Sequence, residues 1–277
     1  MSARGAGRGT QVLRRADWAL PVRPVHREVL TALPDPVGDR PPLLFVHGMG
    51  HGAWCFAEHW LLATADRGYP AYALSLRGHG GSGGARRLGR TLMRDYVHDV
   101  VQTAVSLPRP PVLVGHSMGA AVVQLVLERY PAPAGVLLAP APLEGGLGAL
   151  AAIARDRPSH ALRALAGGSL PMTADALFEG LDDATARRYA DRCGRESPLV
   201  QDEVTLRRRR PRPVRAPVLV VGTPDDRYVP LPVVRSTAAR FGVEPLLFPG
   251  MGHDLMLDRG QDRVLAAVLD WVGRTVR

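Results

Sequence analysis

The stretch Pro111-Val112-Leu113-Val114-Gly115-His116-Ser117-Met118-Gly119-Ala120-Ala121-Val122-Val123 decides the fold. Its first apolar run is short and rich in Val, as a strand buried on both faces is. A second apolar run follows Gly119, continues to Tyr130 and stops at Pro131, which suits a buried helix ended by proline. Between the two runs the chain must turn sharply, and the side chain at the tip of such a turn is held outward. Gly115 and Gly119 stand two residues either side of Ser117, where side chains would crowd the turn. This is the G-x-S-x-G nucleophile elbow in its strand–turn–helix setting. It makes Ser117 the candidate nucleophile.

Working outward, apolar strand character recurs at residues 25–33, 43–46, 71–76, 135–139, 216–222 and 245–248. Helical character falls at 54–66, with Gly68 as a stop, and at 96–107 and 263–272. Strands alternating with helices predict an α/β fold with a doubly wound, mostly parallel sheet. Ligands on such sheets collect at the carboxyl ends of the strands, where the Gly- and His-rich segments of this chain all lie. The alternation breaks between residues 143 and 213, where Leu, Ala, Met and Phe are spaced among Asp and Arg with no clear strand. We expect residues 143–213 to form a helical cap inserted into a core made of 23–142 and 214–277. The run Arg207 to Arg212 at its end reads as a solvated linker. Residues 1–22, rich in Gly and Arg, are expected to be a disordered extension.

Composition narrows the function classes. The chain of 277 residues is 46% hydrophobic, enough to bury a real core. Its net charge of +9 would suit an anionic partner. However, every one of the 35 basic residues is Arg, amid abundant Ala, Gly and Pro, which reads as compositional bias. No nucleic-acid-binding motif accompanies the charge, so neither nucleic acid nor a membrane is expected as partner. Cys55 and Cys193 have no metal-like spacing and read as free thiols in a reducing compartment. With no apolar leader at the N-terminus and no run of membrane-spanning length, a cytoplasmic location is the expectation.

A serine hydroxyl needs a base in hydrogen-bond reach, itself oriented by a third group. Folds of this kind place these parts in the order Ser, acid, His. Asp225-Asp226 follows the strand ending at Gly222, and His253 follows the last strand inside Pro249-Gly250-Met251-Gly252-His253-Asp254. Donors for a developing oxyanion would be the backbone N–H of Met118, after the nucleophile, and of Met49, in the loop His47-Gly48-Met49-Gly50. His51, His59 and His98 lack the spacing of a metal set, and neither metal nor cofactor is expected.

In these motifs, together with Arg77-Gly78-His79-Gly80-Gly81-Ser82, the chain from about residue 25 to 277 resembles the α/β-hydrolase superfamily, and in particular its capped bacterial members. Ser75 departs from the Asp that many relatives carry before the Arg-Gly-His-Gly turn. The resemblance implies a serine hydrolase cleaving small to medium, largely apolar carboxylic esters, with Ser117, His253 and an aspartate as triad. Thioesterase, C–C hydrolase or perhydrolase chemistry on the same triad is the enzymatic alternative. A non-catalytic ligand-binding protein is the alternative of another class. For the acid, counting back from Val229-Pro230 by the family's spacing reaches Asp226, whereas counting forward from Gly222 reaches Asp225. Proline at a helix start is the more rigid landmark, so Asp226 is preferred. Trp54, Met172 and Phe178 are the candidate substrate-binding side chains. The sequence leaves the physiological substrate and the oligomeric state open.

Overall fold

The computed structural model describes residues 21–144, 151, 154–155, 157–206, 209–210 and 212–276. The expected N-terminal extension lies outside the described residues up to position 20, as does part of the arginine run. Among the described residues seven strands form one sheet: β1 (Val29–Ala32), β2 (Leu43–Val46), β3 (Ala71–Leu74), β4 (Val112–His116), β5 (Gly135–Leu138), β6 (Val218–Gly222) and β7 (Leu246–Leu247). Their order is β1-β3-β2-β4-β5-β6-β7, and β1 alone runs antiparallel to its neighbour. Every residue of β2, β4, β5 and β6 is buried, which is why these strands read as unbroken Val/Leu runs. β4 is central, paired in register with β2 (Val46 opposite Gly115) and β5 (His116 opposite Leu138). The elbow therefore opens at the middle of the sheet's carboxyl edge.

Helices cover the sheet: α1 (Trp54–Ala57), α2 (Trp60–Asp66), α3 (Met93–Ser106), α4 (Met118–Leu127), α9 (Leu231–Arg240) and α10 (Gln261–Thr275). α4 is buried along its whole length, as its apolar sequence requires. The single helix expected over 54–66 is in fact two, because His59 leaves the helical region at φ −135°. The break lets the two indoles face different ways. Trp54 stacks on Tyr189, and Trp60 donates its indole N–H to the Gln261 carbonyl. The last strand is shorter than its sequence suggests: β7 pairs only Leu246 with Val221 and Leu247 with Gly222.

Loop anchors complete the frame. Arg77 forms a bidentate pair with buried Asp99 of α3, Nε to Oδ2 at 2.8 Å and Nη2 to Oδ1 at 2.6 Å. Ser75 donates to Glu28 at 2.5 Å and accepts the Ala53 N–H at 2.8 Å, so the carboxylate at this turn comes from the neighbouring strand's approach.

Among the described residues between β5 and β6 there is no strand, and helices α5 (Pro158–Leu165), α6 (Ala174–Leu177), α7 (Asp183–Ala190) and α8 (Pro198–Thr205) lie there. Asp182 caps α7 through the amides of Ala184 and Thr185, and Ser197 caps α8, which has proline in its first turn. No helix among the described residues is long and apolar enough to cross a membrane.

Candidate active site

Ser117 sits between β4 and α4 with φ 51° and ψ −118°, a conformation that L-residues avoid unless their surroundings impose it. The imposition is visible at Gly119, where a Cβ would lie 2.3 Å from the Val46 carbonyl oxygen. β2 and the start of α4 thus approach too closely for any side chain. The consequence is a half-buried Ser117 presented to a cavity.

That cavity contains about 560 Å³ of space not filled by atoms, part of it open to solvent. Its wall combines Met49, Ser117 and His253 with Leu170, Met172, Val204 and Tyr228. The wall is mostly apolar, with a few polar groups converging, the usual character of a small-molecule site. Met118 is the first residue of α4, and Met49 lines the cavity itself. Among the described residues neither backbone N–H is bonded within the protein.

His253 Nδ1 lies 2.7 Å from Asp226 Oδ2. The other oxygen of Asp226 accepts the backbone N–H groups of Tyr228 and Val229, both at 2.8 Å. Asp225 is exposed and turned to the Gly250 N–H at 2.7 Å. Burial works to lower the His253 pKa, but the charge and hydrogen bond of Asp226, with Asp254 behind, hold it above its ordinary value. His116, the residue before Ser117, is pushed down to about 3, first by burial and then by the charge of His253. It is therefore neutral, and its Nε2–H donates to the His253 carbonyl at 3.0 Å. His47 fixes the neighbouring loop, with Nε2 accepting the Leu76 N–H at 2.9 Å and Nδ1 donating to the Gly48 carbonyl at 2.8 Å.

Of the expected substrate-binding residues, Met172 lines the cavity with Leu170, while Trp54 and Phe178 do not. Trp54 is taken up between His51, Tyr189 and the Arg192 guanidinium, which sits 4.0 Å above its ring. Phe178 is buried against Tyr189. Trp54 thus joins the core to the insertion, whereas Phe178 packs within the insertion.

Sequence reasoning missed three residues. Tyr228 lies edge-on to His253 at 5.2 Å and donates its hydroxyl to the Pro171 carbonyl at 2.7 Å, tying the surroundings of His253 to the insertion. Burial raises its phenol to about 12. His51 and Asp254 form a buried pair at 2.8 Å. The one signal for it was position: Asp254 directly follows His253, and His51 stands two residues after Met49.

The α/β-hydrolase family model matches residues 43–267. The chain belongs to the α/β-hydrolase family. Among curated α/β-hydrolase relatives, a monoacylglycerol lipase from Mycolicibacterium smegmatis is 28% identical over 88% of this chain and 91% of its own. Norfluorocurarine synthase 2 from a Strychnos species is 32% identical, but over only 32% of this chain and 33% of that protein. The match to this relative thus spans about a third of its length. Among solved structures, a monoacylglycerol lipase from Paleococcus ferrophilus superposes with a TM-score of 0.67 at 20% identity, covering 90% of this chain and 98% of that one. It shares the fold. By the family match and the curated lipase relative, this chain is an α/β hydrolase.

Proposed function

We propose that the protein is a serine hydrolase cleaving carboxylic esters of small to medium, largely apolar substrates through an acyl-enzyme. One observation carries the reading: His253 holds Asp226 through Nδ1 while sharing an apolar cavity with Ser117. With Nδ1–H donating to Asp226, Nε2 keeps its lone pair for the serine proton. Ser117 Oγ adds to the ester carbonyl carbon, and His253 Nε2 takes the hydroxyl proton. The oxyanion is received by the N–H groups of Met49 and Met118. The ring then passes its proton to the departing alkoxide. A water deprotonated by the same ring adds to the acyl carbon, the bond to Ser117 Oγ breaks, and the ring returns the proton to Oγ as the acid leaves. Residues 143–213 act as a cap over a core of 23–142 and 214–277. The monoacylglycerol lipase relative and the apolar lining both favour an acyl-chain ester.

The test begins with a fluorophosphonate probe, which should label the wild type once and leave folded Ser117→Ala unlabelled. His253→Ala should lose roughly three orders of magnitude in turnover. A panel of aryl esters of increasing acyl length, beside thioesters and a β-diketone, then fixes the reaction. Turnover of the diketone or thioester above the esters would replace ester hydrolysis with those chemistries.

A further inference from the structure

We propose that His51 is a positioning residue: with Asp254 it braces the loop carrying the Met49 N–H against the loop carrying His253. What that loop does in catalysis rests on the serine-hydrolase reading above.

The geometry starts from the ring. His51 is buried, with 2% exposure. Its Nδ1 lies 2.8 Å from the Met49 carbonyl oxygen and its Nε2 lies 2.8 Å from Asp254 Oδ2. Both partners accept and neither has a hydrogen to give. A neutral imidazole carries one hydrogen, so one of its nitrogens would turn a lone pair toward an oxygen. The ring that fits this site is the imidazolium, donating both ways. It holds Met49 by its carbonyl, at the opposite end of the residue from the N–H that the serine-hydrolase reading assigns to the oxyanion. Asp254 directly follows His253 in the chain. Its Oδ1 lies 3.6 Å from His116 Nε2, the group that donates to the His253 carbonyl. The oxyanion loop, the elbow and the base loop thus meet at one buried carboxylate.

The surroundings fix the charge state. Asp254 faces the ring directly, the Cys193 thiol lies 3.5 Å from Nε2, and the His116 ring stands 6.0 Å away edge-on. His47, His253 and Cys55 also feel its charge, and Trp54 stacks on its face at 5.6 Å. Burial works to lower the pKa of His51, but Asp254 above all, aided by Cys193, holds it well above 6.5. The ring therefore stays charged through neutrality and gives up its proton on the alkaline side. When it does, one of its two hydrogen bonds is lost and Met49 is no longer held.

The test uses the full chain, an aryl ester and the fluorophosphonate. Wild-type kcat should fall on the alkaline side. His51→Gln and Asp254→Asn should each lower kcat roughly 10- to 100-fold, somewhat less than outright removal of an oxyanion donor. KM should stay within about threefold, since the brace serves the transition state. The alkaline fall should vanish in His51→Gln, and the double variant should lose no more than the worse single one. Folded variants with unchanged kcat, a rise in KM alone, or losses that multiply in the double variant would overturn the brace. A wild type that neither hydrolyses esters nor takes the probe sinks the hydrolase reading by itself. In that case, or if the variants do not fold, nitrogen NMR of the wild-type His51 ring decides. Both nitrogens protonated at about pH 8 upholds the brace, and a neutral ring at that pH, as an unperturbed histidine would be, overturns it.

Discussion

Two identical carboxylates, Asp225 and Asp226, meet different surroundings just after β6. Asp226 is buried, binds His253 and accepts two backbone N–H groups, whereas Asp225 is exposed and turned to Gly250. Asp226→Asn should therefore lower turnover by several orders of magnitude, because His253 loses its orienting partner and takes the wrong tautomer. Asp225→Asn should stay within about tenfold, or ~1.4 kcal/mol of barrier, in steady-state assays of both variants. The sequence offered two counts for this acid. The count from Val229-Pro230 reaches the residue that binds His253, because the Thr223-Pro224 turn absorbs the extra position. The same ring sets a pH expectation. His253 must be neutral to accept a proton, and Asp226 and Asp254 outweigh burial to raise its pKa. Turnover should thus rise with pH through a midpoint above ~6.5, the unperturbed value. An acid limb centred below that value would remove His253 as the titrating base. Tyr228 and His51 were not legible as site residues, because their roles arise from contacts with Pro171 and Asp254, distant in the chain.

At the scale of elements, strands and their order of use were legible because buried parallel strands leave unbroken apolar runs. The insertion was legible as helical, from its spacing and from caps such as Asp182 and Ser197, but its docking was not. Docking depends on buried polar groups that sequence periodicity ignores. Glu196, just before α8, accepts from the Tyr96 hydroxyl at 2.6 Å, from the Ser197 N–H at 2.7 Å and, more weakly, from the Gly50 N–H at 3.4 Å. His79 stands 3.3 Å away. Burial opposes charge on both partners, yet each holds the other ionised: His79 is raised and Glu196 lowered. The Glu196 contribution is present above its unfolded pKa and is lost as pH falls. The His79 contribution is present below ~6.5 and lost as pH rises through its raised folded pKa. Glu196→Ala should cost roughly 3–5 kcal/mol near pH 6, by denaturant unfolding, and less once His79 is neutral. A loss independent of pH would remove the pair as its cause. For selectivity, Leu170→Ala and Met172→Ala enlarge the cavity wall that the insertion supplies. Both should shift the preferred acyl length upward in the ester panel while the fluorophosphonate still labels. Loss of labelling in folded protein would give these side chains a part in the chemistry.

For the whole molecule, stability rests on the central strands. Leu113 of β4 is fully buried between β2 and β5, whereas Leu162 is 70% exposed. Leu113→Ala should cost ~2–5 kcal/mol through lost burial and the cavity left behind. Leu162→Ala should stay within ~0.5 kcal/mol. Urea midpoints of the two variants check the contrast, and equal shifts would place the core elsewhere. The fold class was legible for the same reason that Leu113 matters: a strand buried on both faces has no freedom to be polar. The balance of charge was the least informative global property, since the arginine excess says little about the pocket.

The Gly50–Gly194 contact carries a consequence for how such enzymes diversify. Gly194 donates its N–H to the Gly50 carbonyl at 2.7 Å, and Gly50 has φ +69°. A Cβ on Gly50 would lie 2.8 Å from the Gly194 oxygen, so Gly50 tolerates no side chain, whereas one on Gly194 would meet only the Gly50 oxygen at 3.8 Å. The insertion is thus clipped to the loop that carries Met49. A chimaera made by exchanging this insertion for a foreign one inherits a new pocket only if the graft also brings a backbone able to seat on Gly50. Swaps cut at the neighbouring strands would otherwise trade specificity for rate, and recombination that spares residues 193–197 should yield many more active offspring than recombination that replaces them.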